Sequence, residues 1–311
     1  MKILFWGTPE FAVPSLRALG EEGHDIVGVV TQPDRPAGRG RELRASAVKE
    51  EALDESFRIL DPDSARSDGF VDEIASLGAD LSVVVAYGQI LSREVLDVPP
   101  LGSVNLHASL LPALRGAAPI NWSIVRGDTV TVVTVMRMVE QMDAGPILFQ
   151  TEEPIAPEET ASDLTMRLSE IGAEALVEAL VLLDAGMIEE REQDESQATY
   201  APKVNRTTAR IDWARDSGSV GNFIRGMDAV PGAWSNLEGD PVKLFRPSPR
   251  PEVIPETRPG TIVDADRTTG LLVATAEGAV EIHEVQPPGK RRMDAGSWIL
   301  GRGATAGQRF E

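Results

Sequence analysis

The sequence predicts an α/β first domain built on a mostly parallel sheet, followed by a smaller domain of antiparallel strands. Short Val- and Ile-rich runs recur through the first half of the chain with helix-like segments between most of them. That alternation is the signature of a parallel sheet carrying helices on its faces. Beyond residue 206 the apolar runs continue, but Gly and Pro separate them, as in small antiparallel domains. The charge changes as well: residues 1–204 hold 16 Lys and Arg against 35 Asp and Glu, whereas residues 205–311 hold 14 of each. Two domains suit a chain of 311 residues, since one domain commonly takes about 100–200.

Ile3 to Trp6 is a short apolar run ending in Gly7-Thr8-Pro9-Glu10. Thr8 suits a helix cap, Pro9 the first turn, and Phe11, Leu16 and Leu19 the buried face, so the chain opens as strand, turn and helix. Asp25–Thr31, Leu81–Ala86, Ser103–His107 and Val130–Val139 supply four further strands. After the second strand comes TQPDRPAGRG, a Gly/Pro loop where Arg35, Arg39, Arg41 and Arg44 crowd together with Glu42 as the only acid among them. A polyanion would meet this loop first. Leu164, Leu168, Ile171, Leu176 and Leu180 repeat at helical spacing and close the first domain, taken as residues 1–188. Residues 189–206 turn acidic and then polar, as a linker does. From 207 to 311 the segments PVKLF, GTIVDA, GLLVATA and AVEIHEV predict the strands of the second domain.

Composition removes several kinds of chemistry. With no cysteine there are no disulfides, thiol nucleophiles, iron–sulfur clusters or Cys-type zinc sites. Catalysis must use oxygen and nitrogen groups. A net charge of −19 argues against a non-specific nucleic-acid binder. The densest acidic stretch, residues 140–200, has 16 acids against Arg167 and Arg191 and reads as a solvated helix face plus linker. The opening MKILFWGTPE is too short for a secretory signal, and nothing approaches the roughly 18 apolar residues of a membrane span. These features predict a cytoplasmic protein with no membrane partner. Gly7-Thr8-Pro9 lacks the spacing of a dinucleotide or P-loop motif, so neither NAD nor ATP is expected.

The histidines number three. His24 sits in a helix-to-strand turn and reads as a surface residue. His283 alternates with Ile282 and Val285 in a late strand and reads as structural or exposed. His107 ends Ser103–His107, where Asn105, two residues back, shares its face of the strand. A core histidine is one explanation. The other is catalytic: an amide beside an imidazole can donate hydrogen bonds to a carbonyl oxygen that is gaining negative charge. A carboxylate would be needed to hold the ring, and Asp143 in QMDAGP is the candidate, with Glu140 as its competitor.

GTPEFA, TQPDRPAGRG, VVVAYGQIL, VNLHASLLPALRGAAPINW and MDAGPIL together resemble the methionyl-tRNA formyltransferases, a family of 10-formyltetrahydrofolate-dependent enzymes. YAPK with ARIDW, PVKLF and PGTI extend the resemblance over nearly the whole chain. The string Asn-x-His-x-Ser-Leu-Leu-Pro with a downstream Asp-x-Gly is the specific part.

The resemblance implies a Rossmann-like formyltransferase domain followed by an OB-like β-barrel domain that contacts tRNA. It implies transfer of the formyl group of 10-formyltetrahydrofolate to the α-amino group of methionyl initiator tRNA, releasing tetrahydrofolate, with no metal and no obligate protein partner. It places the catalytic residues at Asn105, His107 and Asp143. The folate contacts fall on Ser109, Leu110, Leu111 and Pro112, and Tyr87, Gly88, Gln89 and Ile90 are the candidate wall of the pterin pocket, the other reading being a strand-to-helix turn that packs its own core. The tRNA-reading loop falls on Pro33 to Leu43, with its key arginine at Arg39; Arg35, Arg41 and the adjoining Arg44 are further candidate tRNA contacts. The run Lys290-Arg291-Arg292 is a second candidate phosphate contact. Two departures stand out: Ala113-Leu114 before Arg115-Gly116, and Asp228-Ala229-Val230 before Pro231, where the family favours other residues. The alternatives are an enzyme formylating a small molecule such as an amino-sugar nucleotide, a 10-formyltetrahydrofolate hydrolase, and a non-enzymatic RNA-binding or scaffold protein on the same fold.

Overall fold

A computed structural model describes residues 1–37, 42–253 and 256–311. Two compact units emerge from the packing: Met1–Gly116, Thr131–Glu153 and Thr165–Tyr200 form the first, and Ala117–Val130, Pro154–Leu164 and Ala201–Glu311 the second.

In chain order the first part runs β1 (Lys2–Gly7), α1 (Val13–Glu21), β2 (Asp25–Val30), β3 (Arg35–Ala37), β4 (Glu42–Arg44), α2 (Ala47–Asp54) and β5 (Ile59–Leu60). It continues through α3 (Phe70–Ser76), β6 (Leu81–Val85), α4 (Arg93–Leu96), β7 (Ser103–His107), α5 (Pro119–Arg126), β8 (Val130–Arg137), β9 (Ile147–Pro154) and α6 (Ala161–Asp184). Among the described residues the main sheet has the order β5-β2-β1-β6-β7-β8-β9. The first five strands in that order are parallel and β8 runs against β7. Ile3, Leu4, Phe5, Trp6, Val83 and Val85 are fully buried, as expected of strands covered on both faces.

The turn after β1 differs from expectation. Glu10–Ala12 forms a 3₁₀ turn before α1, and Thr8 caps no helix: its hydroxyl donates to the Tyr87 carbonyl at 2.9 Å. That bond ties the end of β1 to the residues following β6. The arginine-rich loop carries a two-stranded antiparallel ladder, β3 with β4, in which Arg35 lies opposite Arg44; Arg39 and Arg41 lie outside the described residues. The eight-residue strand β9 has no counterpart in the sequence reading, because only its first half, Ile-Leu-Phe, is apolar.

Besides α5, the second unit contains α7 (Ser217–Gly226), β10 (Trp234–Leu237), β11 (Asp240–Arg250), β12 (Ile262–Asp266), β13 (Gly270–Ala274), β14 (Ala279–Gln286), β15 (Met293–Asp294) and α8 (Ala295–Leu300). Its strands are ordered β10-β11-β14-β13-β12, with β15 beside β14, all antiparallel. Residues 308–311 bridge the two edges. Asn236 and Glu311 exchange backbone hydrogen bonds at 3.2 and 2.8 Å, and the Ile262 N–H donates to the Gln308 carbonyl at 2.8 Å. Pairing both edges in this way curls the sheet toward a barrel and removes the exposed edges of an open sheet. Asp216 and Asp294 start α7 and α8 by accepting from the N–H groups of Ser219 and Ser297 at 2.8 and 3.0 Å, the role expected of N-cap carboxylates. A Cβ on Gly221 would sit 2.7 Å from Pro249 Cγ, so only glycine lets α7 approach β11 this closely.

No helix among the described residues is long and apolar enough to cross a membrane. Phe310, 1% exposed, stacks on Trp213 with centroids 5.7 Å apart, so Phe310→Ala should cost about 3–5 kcal/mol. Urea unfolding of the purified chain checks this, and a loss below about 1 kcal/mol would mean that the bridging segment contributes little to the second unit.

Candidate functional site

Strand β7 brings Asn105 and His107 to one face. His107 is buried, and its Nε2 lies 3.1 Å from the Leu114 carbonyl oxygen. A carbonyl only accepts, so this contact places the proton on Nε2 and turns Nδ1 toward Asp143, whose Oδ2 is 3.8 Å away. That separation suits an ion pair with a protonated ring and exceeds hydrogen-bond length. The side chain of Asn105, partly exposed, has no hydrogen-bond partner among the described residues, which leaves its amide donors available.

Asp143 reaches this position by a reversal of the chain. Because β8 is antiparallel to β7, Thr134 stands opposite His107 and Arg137 opposite Val104. The Met138 N–H still bonds the Ser103 carbonyl at 2.8 Å, at the far end of β7. The following loop therefore returns along the strand before Asp143 meets His107. Asp143 has the left-handed backbone φ of 52°, a conformation that costs free energy in a residue other than glycine and so requires surroundings to hold it. Its Oδ2 accepts from the Gly116 N–H at 2.8 Å. A Cβ on Gly145 would lie 2.0 Å from the Arg137 carbonyl oxygen, so the close return of the chain requires glycine there.

The loop after His107 is internally braced. Ser109 donates to the Ala113 carbonyl at 2.6 Å, while its own carbonyl accepts from Thr134 Oγ1 at 2.7 Å. Leu111 is buried with Met136 and Ile147, and Leu110 stands exposed. The Pro112 carbonyl accepts from the Thr199 N–H at 3.3 Å. Ser109, Leu111 and Pro112 thus shape this loop, leaving Leu110 as its outward apolar side chain.

The segment after β6 divides its roles. Tyr87 is 2% exposed, its ring set edge-on to Trp6 at 5.2 Å, and its hydroxyl has no partner. Burial pushes the phenol up to about 12. The side chain therefore belongs to the core, away from the adjoining cavity. Gly88 takes a φ of 91°. Gln89 accepts from the Ala65 N–H at 3.1 Å and donates to the Asp63 carbonyl at 3.3 Å, pinning the neighbouring loop. Ile90 lines a cavity of about 640 Å³ together with Leu91, Val71, Ser92, Arg66 and Glu140. Glu140 sits on the same returning loop as Asp143, but it faces this cavity, whereas Asp143 faces His107.

The basic residues divide too. Arg35 donates to Gln32 Oε1 at 2.6 Å, and no carboxylate pairs with Arg35 or Arg44 among the described residues. Lys290 and Arg291 are exposed. Arg292 is committed elsewhere: it bonds both carboxylate oxygens of Asp228 at 2.8 and 3.2 Å, pairs with Glu284 and lies 4.1 Å over the Phe245 ring. Three of its five N–H groups go to Asp228 and Glu284, and its side chain stays about one-third exposed; Lys290 and Arg291 have no carboxylate partner among the described residues.

Sequence reasoning missed Arg115, Gln193 and Glu195. The Arg115 side chain is fully buried and meets Gln193 Oε1 and both oxygens of Glu195. Gln193 and Glu195 belong to the stretch that composition alone assigns to a linker. The available signal was Arg115 itself, because a guanidinium in an apolar loop needs a carboxylate partner.

The Arg115 hydrogen bond holds the Glu195 carboxyl below its ordinary value. A depressed carboxylate contributes stability that is present above its unfolded value and lost as pH falls through its folded value. Wild type should therefore melt above Glu195→Gln near neutral pH. The difference should shrink once the pH drops below the ordinary glutamate range. A difference that stays constant with pH would mean the ion pair contributes nothing.

The sequence matches the family described as Formyl transferase over residues 1–180, and that described as Formyl transferase, C-terminal domain, over residues 203–303. Methionyl-tRNA formyltransferase of Symbiobacterium thermophilum is 47% identical over 310 residues, covering 100% of this chain and 95% of that protein. Among solved structures, methionyl-tRNA formyltransferase from Clostridium thermocellum shares the fold with a TM-score of 0.58 at 15% identity, over 91% of this chain and 98% of that one. HypX from Aquifex aeolicus, solved in complex with tetrahydrofolic acid, shares it with a TM-score of 0.64 at 20% identity, over 97% of this chain. The chain spans about half the length of HypX, 47%. Identity of this extent along the whole chain, with both domain families in order, shows that the chain belongs to the formyltransferase family, among its methionyl-tRNA formyltransferases.

Proposed function

We propose that this chain transfers a formyl group from 10-formyltetrahydrofolate to the α-amino group of methionyl initiator tRNA. The observation that supports it most directly is the meeting of His107 with Asp143, on the face of β7 that also carries Asn105.

The residues suit the chemistry. In the transfer a neutral amine adds to the formyl carbon, and the formyl oxygen gains negative charge as the C–O double bond opens. When the double bond re-forms, the bond from carbon to the folate N10 breaks, N10 takes up a proton in place of the one the amine loses, and tetrahydrofolate leaves. Asn105 supplies a free N–H donor for that oxygen. His107 in its doubly protonated form brings positive charge to the same place, balanced by Asp143 at 3.8 Å. Direct donation from Nε2 requires the substrate oxygen to replace the Leu114 carbonyl, which now occupies that proton. Asp143 takes part in relaying the proton that the amine must lose. Holding both substrates together supplies a large share of the acceleration.

The cavity beside Ile90 fits a folate ring system. Its lining is mostly polar, with Arg66, Asp68, Ser92, Glu94 and Glu140 able to meet the amino and carbonyl edges of the heterocycle and Ile90 as the exposed apolar side chain. About 640 Å³ falls in the usual range of roughly 300–1,000 Å³ for such ligands. When bound, the folate carries the formyl group in activated form.

For the tRNA, Arg35 opposite Arg44 is a like-charge pair that costs free energy by itself and gains when a phosphate lies between. Lys290 and Arg291 in the second unit, which carries no net acidic excess after residue 204, are further phosphate contacts.

The test is transfer of labelled formyl to methionyl initiator tRNA, with methionyl elongator tRNA and free methionine as parallel acceptors. Initiator-selective labelling is expected; consumption of the folate with none of the three labelled would overturn the proposal. His107→Ala should abolish transfer while the chain stays folded. Asn105→Ala should lower turnover by about 10² to 10³, the scale for one oxyanion donor. Arg35→Ala with Arg44→Ala should raise KM for tRNA and flatten its salt dependence without affecting folate binding; equal loss of both would reassign the loop.

A further inference from the structure

We infer that Gln193 is a positioning residue for the Asp143 loop, held in turn by Arg115 and Glu195. The inference rests on the role given to Asp143 above.

Gln193 has no spare hydrogen-bonding capacity. Its amide nitrogen donates to the carbonyls of Asp143 and Gly145 at 2.9 and 2.7 Å. Its oxygen accepts from Arg115 Nε and Nη2 at 3.1 and 2.7 Å. Two hydrogens and two lone pairs are the whole inventory of a glutamine amide. Arg115 also donates to Glu195, at 3.0 Å from Nη1 and 2.7 Å from Nη2. The residue next to Arg115 is Gly116, whose N–H holds the Asp143 carboxylate at 2.8 Å.

These contacts close a ring. It passes from Gly116 to the Asp143 carboxylate, through the Asp143 backbone to Gln193, from Gln193 to the Arg115 guanidinium, and along the chain back to Gly116. The ring fixes both ends of Asp143: its carboxylate from one side and its carbonyl from the other. A residue at φ 52° needs such double restraint to keep one geometry, because the left-handed conformation is not its preferred one. Anchoring residues 189–195 to the sheet does not depend on Gln193. Ile147 and Arg191 already exchange backbone bonds at 2.8 and 2.9 Å for that purpose. Every polar contact of Gln193 instead ends on the Asp143 loop or on the arginine beside Gly116, apart from its amide's distant approach to Met136 Sδ at 3.9 Å.

Gln193→Glu separates positioning from bulk. It preserves size and the acceptor for Arg115, but it turns an oxygen toward the two carbonyls where donors stood. Single-turnover transfer should slow by about 10- to 100-fold, the scale of small misplacements at a reacting centre, with KM for both substrates within about threefold. In an Asp143→Asn background the same substitution should cost less than about threefold more, because residues acting through one another are not additive. Gln193→Ala is the second variant, and circular dichroism checks that both are folded.

A near-wild-type rate for folded Gln193→Glu beside a strongly slowed Asp143→Asn would overturn the inference and leave the function intact. Full additivity of the two substitutions would also overturn it, since Gln193 would then act elsewhere. A near-wild-type Asp143→Asn would remove the role of Asp143 itself, and the inference with it.

Discussion

The hydrogen bond from the Gly116 N–H to the Asp143 carboxylate, 2.8 Å long, joins two loops that the sheet by itself would leave apart. One loop leaves the C-terminal end of β7 carrying Leu110 to Arg115. The other leaves β8 at the opposite end of the same strand and has to return along it. Without a fixed attachment, the returning loop would place its carboxylate near His107 only part of the time. The backbone bond, the left-handed turn at Asp143 and the close approach required at Gly145 fix one geometry, so the 3.8 Å separation of Asp143 from His107 is a property of the fold.

The attachment also explains why a buried arginine is tolerated beside the site. An uncompensated guanidinium in the interior is costly, and removal of one partner of such a pair is strongly destabilising. Arg115 meets the requirement with Glu195 and Gln193, both from the segment following α6. That segment is therefore part of the first unit's machinery. Its acidic composition, read alone, conceals this, because most of its carboxylates do face solvent.

Much of the fold was legible because it depends on local pattern. The apolar runs at residues 3–6, 25–31, 81–86 and 103–107 became parallel strands, since continuous burial on both faces leaves a nearly unbroken apolar signature. Strand β9 was not legible, because an edge strand alternates in burial and its second half is charged. The direction of β8 was equally hidden, as nothing in a Val-rich run states which way its neighbour points. At the site, the same-face relation of Asn105 and His107 followed from strand periodicity. The contacts of Asp143 did not, being set by tertiary bonds from residues 116 and 193. For Tyr87 the sequence left two readings open, a pocket wall or a turn packing its own core, and the ring lies in the core beside Trp6.

In the proposed reaction the formyl oxygen is received on the Asn105 and His107 face of β7 while the folate ring lies in the cavity beside Ile90. A crystal structure of the chain with a stable formylated tetrahydrofolate analogue tests this most directly. The formyl oxygen is expected within hydrogen-bond reach of the Asn105 amide and next to His107, with the heterocycle between Ile90, Leu91 and Glu140. An analogue bound elsewhere, or one whose formyl group points away from β7, would contradict it.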